Sequence, residues 1–204
     1  MEVLRNHISI LLTKPGSNFI FIRTGESISN LAGTLAGWTN CKLSEYGKKQ
    51  ANLLYEGFYP FLGQFKKVYS SDLLRAKDTI NLATLYQVQV HEDERLREIY
   101  FGEHEGEHFD SMPESLRNEI NEMSYVAPKG ESWDMVNRRA LAFMKEKSED
   151  GCLLCMTHGG LICTLTHKYG VTDVLPNASI AGINFEGGKG ELVFTWTCPE
   201  ILNK

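Results

Sequence analysis

The sequence predicts an α/β protein, a three-layer α/β/α sandwich on a mostly parallel sheet. Two observations point there. Short apolar runs alternate with longer amphipathic ones along most of the chain, and four of the apolar runs lead into polar, charged or Gly-containing segments. A third is size: 204 residues can bury one sheet between two helical layers within a single domain.

Taken in order, residues 1–17 form an N-terminal extension. Its opening MEVLRNHISILLTK carries one Arg, the acidic Glu2 and a five-residue apolar stretch, a poor secretory or targeting peptide, and it is expected to pack on the domain or on a partner. The domain itself is expected to span residues 18–204. Residues 18–23 (NFIFIR) read as a first buried strand, and residues 43–62 carry helical spacing, with Ser44 as N-cap and Gly63 as stop. A second strand follows at 67–71, a helix at 73–86 and a third strand at 87–91. The pattern weakens across 93–130, a charged, Gly-containing stretch with one short helix at 114–123; irregular segments of this length in a compact domain are often functional loops. Residues 132–147 are a clear helix. The strand 152–157 runs straight into His158-Gly159-Gly160 and a further helix to Tyr169, and the end, SIAGINFEGGKGELVFTWT, is a β-hairpin turning at 187–190.

Composition excludes several partners. A net charge of −5, with no stretch concentrating Lys and Arg, argues against nucleic acid but not against small phosphate esters, which need only two or three placed cations. No apolar run reaches the eighteen or more residues a transmembrane helix needs. Five cysteines, an odd count, suit a reducing compartment, so a cytoplasmic location is expected, with an organelle left open. Cys152 and Cys155 make a C-x-x-C, but residues three apart on a strand point to opposite faces and share neither a metal nor a disulfide.

In open α/β sheets ligands sit beyond the carboxyl ends of the strands. Four segments place polar groups there: Arg23-Thr24-Gly25, residues 70–75, Arg97-Glu98 and His158-Gly159. Ile22-Arg23-Thr24-Gly25-Glu26-Ser27, with Asn30 beyond, resembles the R-H-G-E-[ST]-x-x-N opening of the histidine phosphatases, the phosphoglycerate mutase-like family, with Thr in place of His. The resemblance continues through Gly37-Trp38, Leu43-Ser44-Glu45, Gly47 and the SSDLLRA of residues 70–76. Arg95-Leu96-Arg97-Glu98-Ile99, Phe101-Gly102 and Glu105-Gly106 are similar to the family's L-R-E-x-x-F-G-x-x-E-G, and Gly130-Glu131-Ser132 and Thr157-His158-Gly159-Gly160 complete the series.

In that family a His attacks phosphorus and becomes a phosphohistidine. The resemblance implies that Arg23 and Arg75 clamp the phosphoryl oxygens, a task for which planar guanidinium suits better than ammonium. It also implies that His158 donates to those oxygens and that Asn30 and Gly159 join the phosphate-binding set. Glu98 would act as general acid for the leaving oxygen, then as base for water, and Gly159-Gly160 would open a helix whose N-terminus favours an anion. Thr24 breaks the pattern. A threonine hydroxyl is barely ionised near neutrality, needs an adjacent base, reaches less far than imidazole, and would form a far more inert ester. It fits the end of a strand well.

The expectation is therefore a retained phosphate pocket with lost or severely impaired catalysis, acting through ligand binding, or as a structural subunit of a complex or homo-oligomer. The partner expected is inorganic phosphate or a small phosphorylated ligand. The alternative is an active phosphomonoesterase that uses His158, or an Arg-bound water activated by Glu98. One rival motif exists: His104-Glu105-Gly106-Glu107-His108 satisfies H-E-x-x-H. Zinc hydrolase chemistry needs both histidines on one helical face, and Gly102 and Gly106 are poor helix residues, so this stretch reads as a solvated acidic loop. No metal or other cofactor is expected.

Overall fold

The computed structural model describes residues 1–148 and 151–198; residues 199–204, the end of the expected domain, lie outside the described residues. Six strands form one sheet: β1 (Ser17–Arg23), β2 (Phe65–Ser70), β3 (Val90–Glu92), β4 (Gly151–Thr157), β5 (Ile180–Glu186) and β6 (Lys189–Trp196), in the order β3-β2-β4-β1-β5-β6. The pairs β1–β4, β2–β4 and β2–β3 are parallel, whereas β5 runs antiparallel to both β1 and β6. The sheet is thus mostly parallel, with an antiparallel hairpin at one edge.

Burial on both faces explains why β1 and β4 read as continuous apolar runs. Phe19, Phe21, Leu153 and Cys155 enter the core shared with α6 (Trp133–Glu146) and α7 (Gly159–Thr166). Ile20, Ile22, Cys152, Leu154 and Met156 enter the other core, with α3 (Glu45–Phe58) and α4 (Leu74–Ala83). Cys152 and Cys155 accordingly lie on opposite faces of the sheet, and among the described residues no cysteine is in a disulfide. Burial pushes the Cys152 thiol up to about 12.

Residues expected only as an extension form a helix, α1 (Glu2–Leu12), whose Leu4, Ile8 and Leu11 are fully buried beside α3. Ser44 does cap α3, its hydroxyl accepting from Gly47 N–H at 2.9 Å. That helix ends at Phe58 rather than at 62, because Pro60 cannot extend the ladder and the chain tightens into a 3₁₀ turn over Tyr59–Gln64. The next helix, α4, stops at Ala83, short of 86: Leu85 and Tyr86 take left-handed backbone angles of +46° and +57°, which also delays β3 to residue 90. Two short helices, α2 (Ile28–Leu31) and α5 (Glu114–Asn121), sit in the loops after β1 and β3. The β5–β6 hairpin turns on Gly187 and Gly188, both at positive φ, so Lys189 and Gly190 belong to the strand.

Candidate functional site

A cleft of about 180 Å³ opens at the carboxyl ends of β1 and β4, and Arg23, Thr24, Asn30, Arg75, Glu98, His158 and Gly159 all line it. Residues separated by up to 136 positions in sequence are therefore gathered in one place.

Thr24 continues the β1–β4 pairing by one residue: its N–H donates to Thr157 O at 3.1 Å, and its carbonyl accepts from Ala178 N at 3.0 Å and Asn177 Nδ2 at 3.1 Å. The backbone at this position is thus fixed from both sides. Thr24 is 3% exposed, and among the described residues no side chain hydrogen-bonds its hydroxyl. Arg23, at the end of β1, donates to the Leu175 carbonyl. Burial lowers its pKa, with nearby Glu98 opposing that shift and Arg75 adding to it.

Arg75 is 3% exposed in the first turn of α4. Its guanidinium is oriented by backbone carbonyls of the loop before α3, Nη2 donating to Gly37 O at 2.7 Å and Nη1 to Thr39 O at 3.1 Å. Among the described residues neither Arg23 nor Arg75 is ion-paired; their hydrogen bonds go mainly to carbonyl oxygens.

His158 is the N-cap residue of α7 and is 1% exposed, with Nε2 2.9 Å from Ser71 Oγ. Burial, reinforced by Arg75, Arg139 and Arg23, holds its pKa well below 6.5, so the ring is a neutral imidazole with one N–H. Asn30 closes a capping box on α2: its Oδ1 accepts from Ser27 N–H and Oγ, both at 3.0 Å, and from Asn177 Nδ2 at 3.3 Å.

At the N-terminus of α7, Gly160 N–H donates to a Glu98 carboxylate oxygen at 3.1 Å, while the other oxygen accepts from Ile99 N–H at 3.0 Å. A Cβ at position 160 would lie 2.4 Å from Glu98 Oε1 and 2.5 Å from the Trp133 ring, so this close approach demands glycine.

Sequence reasoning missed the residues that hold Glu98. Arg139 of α6 donates to the carbonyls of Arg95 (2.8 Å), Arg97 (2.6 Å) and Glu98 (2.8 Å), and pairs with Glu131. Trp38 Nε1 reaches Glu98 O at 2.7 Å, and Thr157 Oγ1 reaches Leu96 O at 2.7 Å. Arg97, placed at the site from sequence, instead pairs with Asp72 and stacks 4.6 Å over Trp38. The H-E-x-x-H stretch is not helical: His104 ends a 3₁₀ turn, Gly106 has φ +84°, and Glu105 accepts from Trp38 N–H at 2.6 Å. Among the described residues no cluster of His, Cys, Asp and Glu is arranged to hold a metal ion.

The family model for the histidine phosphatase superfamily (branch 1) matches residues 19–196. The chain is 32% identical over 192 residues to a provisionally named phosphoserine phosphatase 2 of Hydrogenobacter thermophilus, an alignment covering 85% of this chain and 92% of that one. It is 31% identical over 164 residues to a metal-independent phosphoserine phosphatase of Arabidopsis thaliana, covering 72% and 66% respectively. The fold is similar to the crystal structure of a phosphoglycerate mutase from Thermus thermophilus, with a TM-score of 0.73, 25% identity, and coverage of 89% of this chain and 99% of that one.

Proposed function

The chain belongs to branch 1 of the histidine phosphatase superfamily, and we propose that it binds a phosphomonoester in the cleft but has lost, or severely impaired, the covalent step, because Thr24 occupies the nucleophile's place. The observation that carries the binding half is the pair of guanidinium groups converging on the cleft without carboxylate partners among the described residues. Two cations facing the single carboxylate of Glu98 are under-compensated, and a phosphate dianion compensates both at once in bidentate geometry.

The missing chemistry rests on the hydroxyl. It has no hydrogen-bonded base among the described residues, and a neutral alcohol is a weak nucleophile without one. Enzymes stripped of a nucleophile keep roughly 10³–10⁴-fold acceleration from charge stabilisation and binding. Uncatalysed phosphomonoester hydrolysis is among the slowest reactions known, so that remainder stays below ordinary detection. The protein then works through ligand binding or as a structural subunit of a larger assembly. The odd count of five cysteines supports a reducing compartment such as the cytoplasm.

One observation favours the alternative of an active phosphomonoesterase: His158 is a neutral imidazole on the cleft wall, so it retains a lone pair. The test is an assay on para-nitrophenyl phosphate with wild type and His158→Asn side by side. The proposal expects no saturable turnover from either. Turnover of about one per second in wild type, surviving repurification and abolished in His158→Asn, would establish the alternative.

A further inference from the structure

We propose that the ligand is a phosphomonoester whose organic half is uncharged and apolar, an aryl or alkyl phosphate, and not one bearing a carboxylate or a second phosphate. This rests on the phosphate-binding reading above. The two guanidinium groups are the only permanent cations lining the cleft among the described residues, and both are assigned there to the phosphoryl group. The remaining walls include Leu35, Phe101, Phe109, Ile120, Trp133 and Val174, with Asn30, Thr34 and Asn121 as neutral polar groups and Glu98 as an anion. A carboxylate or second phosphate against such walls would be desolvated without a counter-charge, which is strongly unfavourable, whereas an apolar group there is removed from water at a gain.

The apolar wall is held in place. Leu35 N–H donates to Glu107 O at 3.0 Å and Phe109 N–H to Gly33 O at 2.9 Å, fastening the segment after β3 to the loop after α2. Trp133 turns its single polar atom away, Nε1 donating to Ile120 O at 2.9 Å, so that ring carbon is what it offers to the cleft. A second cavity of about 360 Å³ shares Ile120, Asn121, Trp133 and Val174 with the cleft. Asp173 and His167 line that cavity together, so it offers no permanent cation to an anionic tail.

The experiment titrates the full chain, by calorimetry, with three non-hydrolysable probes: inorganic phosphate, benzylphosphonate and 3-phosphonopropionate. Benzylphosphonate is expected to bind about tenfold or more tighter than phosphate, in line with a hydrophobic pocket reading a few extra carbons, and 3-phosphonopropionate no tighter than phosphate. Binding of phosphate with no gain for the benzyl group, or with preference for the carboxylate, overturns this inference and leaves the phosphate-binding reading standing. Failure of all three to bind overturns that reading and the inference with it. One variant adds an independent test: Val174 is 48% exposed, so Val174→Lys leaves the core intact while adding a cation at the rim. It should raise affinity for 3-phosphonopropionate and reduce the benzyl preference; an unchanged order of the three probes overturns the inference.

Discussion

Thr24 and His158 sit in the same cleft with opposite consequences for chemistry. Because the Thr24 backbone is fastened to Thr157 and Ala178, a side chain placed there points where the present one does. Thr24→His should therefore create at least partial phosphatase activity and an acid-labile phosphoenzyme, measured by acid-quench trapping of radiolabelled phosphate. A misplacement of about 1 Å can cost 10²-fold, so a weak gain still supports the proposal, while a folded, phosphate-binding, wholly inert variant would mean that the rest of the site has decayed too. His158 makes a prediction about stability. It is neutral in the fold but titrates near its ordinary 6.5 in the unfolded chain, so the unfolded state binds the extra proton as pH falls through that value. Stability should thus drop below about pH 6.5, and urea titrations at several pH values should show a shallower drop in His158→Asn. Residues that would act by their own side chains, Arg23, Arg75 and His158, were legible in the sequence because their types and order carry the chemistry. Arg139 and Trp38 were not, because they bind backbone carbonyls, and a carbonyl leaves no mark on the identity of the residue that bears it.

The N-terminal turn of α7 shows how an element and a residue fix each other. The helix starts close enough to Glu98 and Trp133 that any Cβ at position 160 collides with both. Gly160→Ala should destabilise the protein by about 1–3 kcal/mol, the usual cost of overpacking, read as a lower urea midpoint with an unchanged slope; a midpoint equal to wild type would show that the helix end can shift away at no cost. At the other end of the chain, α1 was illegible as a helix. Its buried positions 4, 8 and 11 do have helical spacing, but the contiguous ISILL obscures the period, and only contact with α3 and the β5–β6 hairpin selects the helical face. Ile8→Ala should cost about 2–5 kcal/mol, as for other fully buried aliphatic truncations, and a loss near zero would show that α1 does not belong to the cooperative core.

On the scale of the whole molecule, the parallel strands β3-β2-β4-β1 present their carboxyl ends to one side, and a chain of net charge −5 concentrates two guanidinium groups there, Arg75 buried and Arg23 half-buried. The layer architecture was legible because β1 and β4 are apolar on both faces; the register and the antiparallel turn into β5 were not, since they depend on partners distant in sequence. Ligand binding and global stability should then be linked. At a phosphate concentration of about 100 times Kd the fold gains about 2.7 kcal/mol if the unfolded chain does not bind, visible as a concentration-dependent rise in Tm. Arg75→Ala should weaken phosphate binding by about 1.5–3 kcal/mol, the range for charge-assisted hydrogen bonds. It should also lower stability without ligand, because the carbonyls of Gly37 and Thr39 lose their donors. The two effects separate: unfolding without phosphate measures the carbonyl loss, and calorimetry on the folded variant measures the binding loss. Equal phosphate affinity in wild type and a folded Arg75→Ala would remove Arg75 from the binding site and leave its bonds to the loop as its whole role.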